Sequence, residues 1–334
     1  MSAMELNRKA LLLYALPGIP LAVLTLPLYI LLPTFYAQAL GLPLAAIGTA
    51  FFVIRLVDAF SDPIIGSLSD SVIGPLGRRR SWFVFSLPLT AGAAFMLFWP
   101  PANAGVTHLL FWGVMLSLGY TASILPYNAW GAELSSNYAM RARGSAYREG
   151  FILIGTLIAV ALPFTFFTME DASAFHGLAA LSVFVVICLP LLGGLMVWRL
   201  PEPENRSRQK VSVREGLSEM RANGPFLRVL AAYLANGLAN GFPATLFLLF
   251  VEARLGLPDL QGPFLFLYFL CGVAGVPIFL KLATKTSKHR AWCTAMLINC
   301  AIFVMAPFIA TDGTGIWAYG ALCVITGICV GADL

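Results

Sequence analysis

Apolar residues occur along the chain in long blocks that short polar stretches separate. Each block is close to the roughly 20 residues that an α-helix needs to cross the hydrocarbon core of a bilayer. We therefore expect an all-α fold, a polytopic bundle of membrane helices. The pattern predicts spans near residues 10–37, 44–68, 81–100, 107–130, 150–169, 177–199, 226–251, 261–283, 291–310 and 315–334.

The longest polar segment divides these ten predicted spans into two sets. It predicts an N-terminal six-helix bundle at 1–200, a cytoplasmic linker at 201–224 and a partial C-terminal bundle of about four spans at 225–334. The linker contains Ser212-Val213-Arg214-Glu215, which fits a capping box, so we expect a short surface helix to begin there. The chain ends inside an apolar run, and we expect a truncated bundle with about ten of twelve spans.

Composition and the placement of charge exclude a soluble fold. Of the 334 residues, 59% are hydrophobic and 11% are charged, whereas soluble domains are about half apolar and about a quarter charged. All of the 21 Lys and Arg except Arg55 and Arg254 lie at the N-terminus or in every second loop. This positive-inside pattern predicts a multi-pass protein of the plasma membrane or bacterial inner membrane, with N-terminus and linker in the cytoplasm. Basic residues spread in this way predict no nucleic-acid partner.

Cysteine and histidine form no chemical constellation in the sequence. The six cysteines lie in or beside apolar spans without a CxxC pair, which indicates free thiols. The three histidines lie at span edges. We therefore predict no enzyme activity, no catalytic residue, no cofactor and no metal site other than a cation site in the second span.

The second predicted span contains three ionisable residues, Arg55, Asp58 and Asp62. An ionisable group in a span costs roughly 3 kcal/mol, so each one needs a reason to be there. Their spacing of three and four residues places all three on one helical face. Two carboxylates one turn apart suit a small hard cation such as Na⁺ or Li⁺, or a proton, with Arg55 as an internal counter-ion when the site is empty. The alternative is a fixed ionic network that only holds helices together.

The fourth predicted span also contains polar groups, and the fifth begins with a charged pair. Hydroxyls and amides on such a helix complete a cation shell, contact a solute, or bond the backbone of a neighbouring helix. Arg148 is either an anchor at the inner surface or a cavity residue. The fourth-span candidates are Tyr120, Thr121, Ser123, Tyr127 and Asn128.

Acidic and basic residues face each other where the second span ends. Asp70 follows this span, the basic run Arg78-Arg79-Arg80 opens the next one, and Glu133 ends the fourth. An acid at a helix end that faces a basic loop can act as a conformational latch on the cytoplasmic side. The alternative is that these arginines only anchor the topology.

These residues together resemble the major facilitator superfamily and, within it, the glycoside–pentoside–hexuronide:cation symporters, the group of the melibiose permease. The most specific part is the Arg-x-x-Asp-x-x-x-Asp-Pro motif of the second span, and the Gly–basic loop after it is common to the superfamily. The resemblance covers all ten predicted spans, and the second half matches mainly in layout. The matching segments are 55–66, 77–82, Gly119-Tyr120-Thr121, Pro126-Tyr127-Asn128, Glu133, Arg141 and Ala146-Tyr147-Arg148.

The resemblance implies a bundle of the major-facilitator type with twelve spans. It implies that Asp58 and Asp62 bind the coupling cation with help from Thr121 and Tyr120, and that Arg148 lines the solute cavity. We place Tyr127, Asn128 and Arg55 at the same cavity.

One feature departs from the sugar-binding members of this family. Those members carry an acid in the first span and another in the fourth, where this chain has Ala22 and Ile124. Paired acids bind sugar hydroxyls, so the cation site matches the family pattern while the sugar site does not.

The predicted function is secondary active transport by alternating access. A cation, Na⁺ or H⁺ with Li⁺ as a substitute, would drive symport of a small solute such as a sugar or glycoside. The alternatives are a non-sugar solute such as a lysolipid, a uniporter in which the acids are structural, and a non-transporting scaffold or sensor on the same fold. The expected partners are the solute and the lipid bilayer, and we expect a monomer.

Overall fold

A computed structural model describes residues 8–72, 74–135, 137–167, 174–202, 213–309 and 315–332. Nearly all of these residues are helical, which confirms the predicted all-α class. Within the described ranges the only β-type pairing is an isolated bridge between Gly74 and Gly77. The α-helices are α1 (Arg8–Ala15), α2 (Gly18–Leu26), α3 (Leu32–Gln38), α4 (Leu44–Ser71), α5 (Arg78–Phe98), α6 (Val106–Glu133), α7 (Tyr138–Phe167), α8 (Ala174–Arg199), α9 (Val213–Ala222), α10 (Gly224–Leu249), α11 (Gln261–Lys285), α12 (Lys288–Met305) and α13 (Gly315–Val330).

Eight helical segments of the described residues are long and apolar enough to cross a membrane. The predicted tenth span is a shorter apolar helix, α13, and the predicted seventh span is helical as α10 but is not among the eight. The fold is thus a polytopic helix bundle, as the pattern predicts. The eight segments are Arg8–Gln38, Leu44–Ser71, Arg78–Phe98, Val106–Glu133, Met140–Pro163, His176–Arg199, Pro258–Lys285 and Lys288–Phe308.

The first span is interrupted where it contains proline. Helix α1 ends two residues before Pro17, and a π-helical turn runs from Pro27 to Leu31 between α2 and α3. Proline has no backbone N–H and its ring crowds the carbonyl four residues earlier, so the regular α-helical ladder cannot continue through it. The span is therefore a chain of short helices and not the single helix that an apolar block suggests.

Helices α4 and α6 run parallel, with residues of one facing residues of the other at a constant separation in sequence. A Cβ on Gly113 of α6 would overlap the side chain of Ile54 on α4. Three turns further on, Leu125 of α6 lies against Gly66 of α4, where a Cβ would be 3.7 Å from Leu125 Cδ1. Gly113 lets the two helices approach closely, as small residues do in other membrane helix pairs, whereas a Cβ at Gly66 would make an ordinary van der Waals contact.

Helix α5 runs antiparallel to α6 on the side of α6 away from α4. Here Gly119 of α6 faces Thr90 of α5, and a Cβ on Gly119 would lie 3.1 Å from Thr90 Cα. Helix α6 is therefore held between two neighbours, α4 on one face and α5 on another.

By its internal contacts the chain divides into two units, residues 1–203 with 262–334, and residues 204–261. The second unit contains α9 and α10, and Asn223 caps α10 by accepting a hydrogen bond from the Phe226 N–H at 3.1 Å. The segment expected to hold a short helix thus has one, α9, although its predicted cap Ser212 lies outside the described residues. The predicted division at 200 and 225 remains a prediction.

In the first unit, α11 and α13 also meet through glycine. A Cβ on Gly275 would overlap the carbonyl of Ile328, and one on Gly327 would overlap the carbonyl of Tyr268. All six cysteines are free thiols in the structure.

Candidate functional site

Two carboxylate–hydroxyl pairs join α4 to α6. The Ser117 hydroxyl donates a hydrogen bond to Asp58 Oδ1, and the Thr121 hydroxyl donates to Asp62 Oδ1 at 2.8 Å. Both pairs have the same separation of 59 residues, so they form successive rungs between the two parallel helices. Together with the glycine contacts of Gly113 and Gly66 they make a ladder of four rungs, whose two middle rungs are polar.

The oxygen-bearing side chains of these two rungs differ in their exposure to solvent. Ser117 and Thr121 are buried, whereas the Asp58 side chain is 21% exposed and Asp62 is exposed. Each carboxylate therefore has an oxygen that faces away from its hydroxyl partner, and each hydroxyl oxygen has a lone pair to offer. Such a set of fixed oxygen ligands suits a hard cation.

Ser117 is a site residue that we did not single out from the sequence. A signal was present, because Ser117 lies four residues before Thr121 and so shares its helical face, as Asp58 shares that of Asp62. The pairing itself depends on the register of α4 against α6, which links residues that are far apart in the chain.

A small open cavity lies beside the first polar rung. Its polar groups include Asp58, Ser117, Tyr29 and Tyr120, so the structure brings Tyr120 to the same place as one of the two acids. The rest of the wall is largely apolar. The other lining residues are Leu24, Thr25, Leu28 and Leu116.

Arg55 lies at the same level as this cavity. Its Nη1 is 3.8 Å from Asp58 Oδ2, and its guanidinium lies over the Tyr29 ring, 3.9 Å from the ring centre. The Arg55 side chain is 58% exposed, so the ion pair with Asp58 is long and largely open. This geometry fits a counter-ion that can be displaced, because a weak pair costs little to separate.

Arg148 and Asn128 form a second polar cluster between α6 and α7. Arg148 donates from Nη1 to Asn128 Oδ1 and from Nη2 to Glu149 Oε1, both at 2.6 Å. Its Nε atom is buried and has no hydrogen-bond partner among the described residues. Two of the four residues predicted for the solute cavity are thus neighbours, and Glu149 neutralises part of the arginine charge.

The structure places Tyr127 in a packed region. It is fully buried, its hydroxyl donates to the Tyr14 carbonyl at 2.8 Å, and its ring packs against Tyr14 and Phe83. Tyr127 is not among the residues that line the cavity beside Asp58. Its predicted solute contact therefore remains a prediction.

Four of the five predicted latch residues meet where α4, α5 and α6 have their ends. Arg79 binds Glu133 with two nitrogens, Nη2 to Oε1 at 2.7 Å and Nε to Oε2 at 3.4 Å, and Arg78 Nη2 lies 2.8 Å from Glu133 Oε2. Asp70 Oδ1 is 2.5 Å from Arg79 Nη1 and 4.0 Å from Arg78 Nη1. Both arginines are buried, which strengthens their attraction to Glu133.

The fifth latch residue, Arg80, points elsewhere and donates from Nη2 to the Val197 carbonyl at the end of α8. A residue that we did not predict, Glu202, caps the start of α5. It accepts hydrogen bonds from the backbone N–H groups of Arg79 at 2.7 Å and Arg80 at 3.0 Å. Carboxylates are favoured at helix N-termini, but nothing local in the sequence pairs Glu202 with α5.

Comparison with known proteins places these features in a family context. A family model described as MFS/sugar transport protein matches residues 13–333. The human sodium-dependent lysophosphatidylcholine symporter 1 is 25% identical over 274 residues, which cover 72% of this chain and 50% of the relative. The putative sulfoquinovose importer of Escherichia coli K12 is 25% identical over 305 residues, which cover 84% of this chain and 64% of the importer. The chain therefore spans 50% to 64% of the length of these two relatives.

A solved structure supports the fold. The chain resembles the crystal structure of a D-xylose–proton symporter with a TM-score of 0.67 at 14% sequence identity, over 96% of this chain and 78% of that one. This likeness confirms a helix bundle of the major-facilitator type.

Proposed function

This chain belongs to the MFS/sugar transport protein family, a family of transporters, and we propose that it acts as a Na⁺-coupled symporter of a small solute. The observation that carries the proposal is the pair of polar rungs, Asp58 with Ser117 and Asp62 with Thr121. Carboxylates in a membrane helix are costly and usually functional, and here both accept hydroxyl bonds from the neighbouring helix.

The arrangement of oxygens supports a metal cation as the coupling ion. Two carboxylates one turn apart repel each other, and a cation between them relieves that repulsion. A proton would need one carboxylate, whereas Na⁺ needs several oxygens at once, and the two rungs supply both carboxylate and hydroxyl ligands. The sodium dependence stated in the name of the human relative agrees with this choice.

Coupling follows from the position of Asp58 in the cavity wall. Binding of Na⁺ neutralises a carboxylate beside Tyr29 and Tyr120, draws the ligands of α4 and α6 together and releases Arg55 from its weak ion pair. The solute then binds to a cavity that is ordered and less charged, so cation and solute stabilise the same state. Alternating access by rocking of two bundles would carry both across the membrane.

The solute is proposed from the family and from the cavity wall. The family and the sulfoquinovose relative support a sugar or glycoside. A second class, lysolipids, is favoured by the apolar wall of Leu24, Leu28 and Leu116. It is also favoured by Ala22 and Ile124, which stand where sugar-binding members carry acids.

The charged cluster of Asp70, Arg78, Arg79 and Glu133 belongs to the same proposal as a latch on the cytoplasmic side. It ties together the ends of α4, α5 and α6, and α4 and α6 carry the cation ligands. Movement of α4 during transport would have to separate Asp70 from the arginines. The ion pairs therefore favour one of the alternating states.

Uptake by the purified chain in proteoliposomes tests the proposed function. Labelled sulfoquinovose and lysophosphatidylcholine are offered with an inward Na⁺ gradient, a pH gradient or no gradient, and radioactive sodium flux is followed alongside. We expect Na⁺-driven uptake of one solute, lost in Asp62→Asn and kept in Asp259→Asn, an exposed acid outside the site. Uptake of either solute that ignores both gradients and survives Asp62→Asn would indicate a uniporter. Absence of both solute and sodium flux would support the scaffold alternative.

A further inference from the structure

A buried cluster of three hydroxyls lies on the face of α6 that meets α5. Ser123 Oγ of α6 is 2.8 Å from Ser86 Oγ and 3.1 Å from Thr90 Oγ1, which lie one turn apart on α5. All three residues are buried, and two of them have no exposed surface. The cluster contains no charged group, and its residues are not among those that line the cavity beside Asp58, so it has no part in binding as described above.

Each hydroxyl of the cluster is also within hydrogen-bond distance of a carbonyl in its own helix. Ser86 reaches the Phe83 carbonyl at 2.7 Å, Thr90 reaches that of Ser86 at 2.9 Å, and Ser123 reaches that of Gly119 at 2.9 Å. Each hydroxyl has one proton to donate and can accept as well, so at most three of the five contacts are hydrogen bonds at one time, and those between hydroxyls link α5 to α6. Ser123 is the centre of this junction because it contacts both hydroxyls of α5.

The packing beside the cluster prevents α6 from shifting to another position. A Cβ on Gly119 would lie 2.8 Å from Thr90 Oγ1 and 3.0 Å from Thr90 N. The backbone of α6 is therefore as close to α5 as a glycine allows. A slide by one residue would move α6 by about 1.5 Å and turn its contact face by about 100°, which would place a larger residue against Thr90.

The cation ligands lie on another face of the same turns of α6. Ser117 and Thr121 each precede a residue of the α5 face, Gly119 and Ser123, by two positions, which is about 200° around the helix. Any rotation of α6 against α5 thus moves both hydroxyls away from Asp58 and Asp62. The ladder to α4 fixes the spacing of the rungs, and the contact with α5 fixes which way α6 faces.

We infer that Ser123, with Ser86 and Thr90, is a positioning cluster that holds the Ser117 and Thr121 hydroxyls at the cation site. This inference rests on the proposed function. A positioning role predicts that loss of the cluster changes the size of the ligand ring and with it the preference between Na⁺ and the smaller Li⁺. A merely structural role predicts lower stability with the same preference.

The test measures Na⁺ and Li⁺ affinity of the purified full chain by competition with radioactive sodium, together with its thermal unfolding. In Ser123→Ala we expect about tenfold weaker Na⁺ binding, about 1.4 kcal/mol, and a changed ratio of Na⁺ to Li⁺ affinity. The matched control is Ser182→Ala, because Ser182 is equally buried and its hydroxyl donates to the Ala179 carbonyl of its own helix. This control should keep both affinities, even if its unfolding temperature falls.

A second pair of variants separates the hydroxyl from the volume of the side chain. Thr90→Val removes the hydroxyl at nearly the same volume and should change the ratio of Na⁺ to Li⁺ affinity. Thr90→Ser keeps the hydroxyl and should have the wild-type ratio. Equal ratios in wild type, Ser123→Ala and Thr90→Val would overturn the positioning role while the cation site stands. Absence of Na⁺ and Li⁺ binding in the wild type would overturn the proposed function and the inference with it.

Discussion

Thr121 donates its hydroxyl hydrogen bond to Asp62 across the contact of α4 and α6, with 2.8 Å between the two oxygens. One turn earlier, Ser117 makes the same contact with Asp58. Each of the two acids on α4 thus meets a hydroxyl that a second helix, α6, brings to it.

Replacing Thr121 tests the hydroxyl ligand. We expect Thr121→Ala to weaken Na⁺ binding by about tenfold, since a hydrogen bond to a charged group contributes about 1.5 kcal/mol or more. Thr121→Ser keeps the oxygen and should bind Na⁺ nearly as the wild type does. Sodium titration of tryptophan fluorescence in the purified chain gives both values, and wild-type affinity in Thr121→Ala would exclude Thr121 as a ligand.

The close approach of α4 and α6 should matter as much as the ligands. Gly113→Ala introduces a Cβ that overlaps the end of the Ile54 side chain, so this side chain or the helices must shift just before the first polar rung. We expect weaker Na⁺ binding in this variant and recovery in Gly113→Ala with Ile54→Ala, which removes the overlap.

The control for this prediction is Gly48→Ala. Gly48 also lies on α4, but a Cβ there meets nothing within 4 Å, so sodium affinity should not change. Equal sodium affinities in Gly113→Ala and Gly48→Ala, measured by the same titration, would contradict the idea that close packing of α4 against α6 supports sodium binding.

The buried ion pairs of Glu133 predict a large effect on stability. Glu133→Gln leaves Arg78 and Arg79 without their main partner, and breaking a buried pair in this way costs about 3 kcal/mol. We therefore expect a clear fall in the thermal unfolding temperature in detergent. The same change at exposed Glu219 of α9 should have little effect, and similar temperatures for the two variants would argue against the latch.

The structure of the latch region also depends on Gly77, which immediately precedes α5. Its φ of 115° lies in the region that favours glycine, and a Cβ there would be 2.6 Å from Glu202 Cδ. We expect Gly77→Ala to destabilise the chain by about 1–3 kcal/mol in detergent unfolding. Gly92→Ala, where a Cβ meets nothing within 4 Å, serves as the control. Equal unfolding of Gly77→Ala and the wild type would contradict both the backbone strain at Gly77 and its contact with Glu202.

The sequence predicts those parts of the structure that depend on local spacing. The helical class follows from the apolar blocks, and the shared face of Asp58 and Asp62 follows from a spacing of four residues. The register of α4 against α6 does not, because it is set by packing at Gly113 and Gly66 between distant segments. Ser117 was missed for this reason.

Contacts between distant segments also determine the positions of Tyr127 and Glu202, which the sequence did not predict. Polarity in the fourth span suggested a solute contact for Tyr127, but only packing shows that its hydroxyl bonds the Tyr14 carbonyl. Glu202 approaches α5 through the end of α8, a contact between segments that no local pattern connects. The breaks in the first span lie at or beside Pro17 and Pro27, yet the place where each short helix ends depends on its neighbours.

Equilibrium binding of radioactive sodium to the purified full chain tests most directly whether the two rungs form a cation site. We predict saturable binding in the wild type and in Asp259→Asn, and its loss in both Asp58→Asn and Asp62→Asn. Saturable sodium binding that persists in Asp58→Asn and in Asp62→Asn would contradict a cation site between α4 and α6.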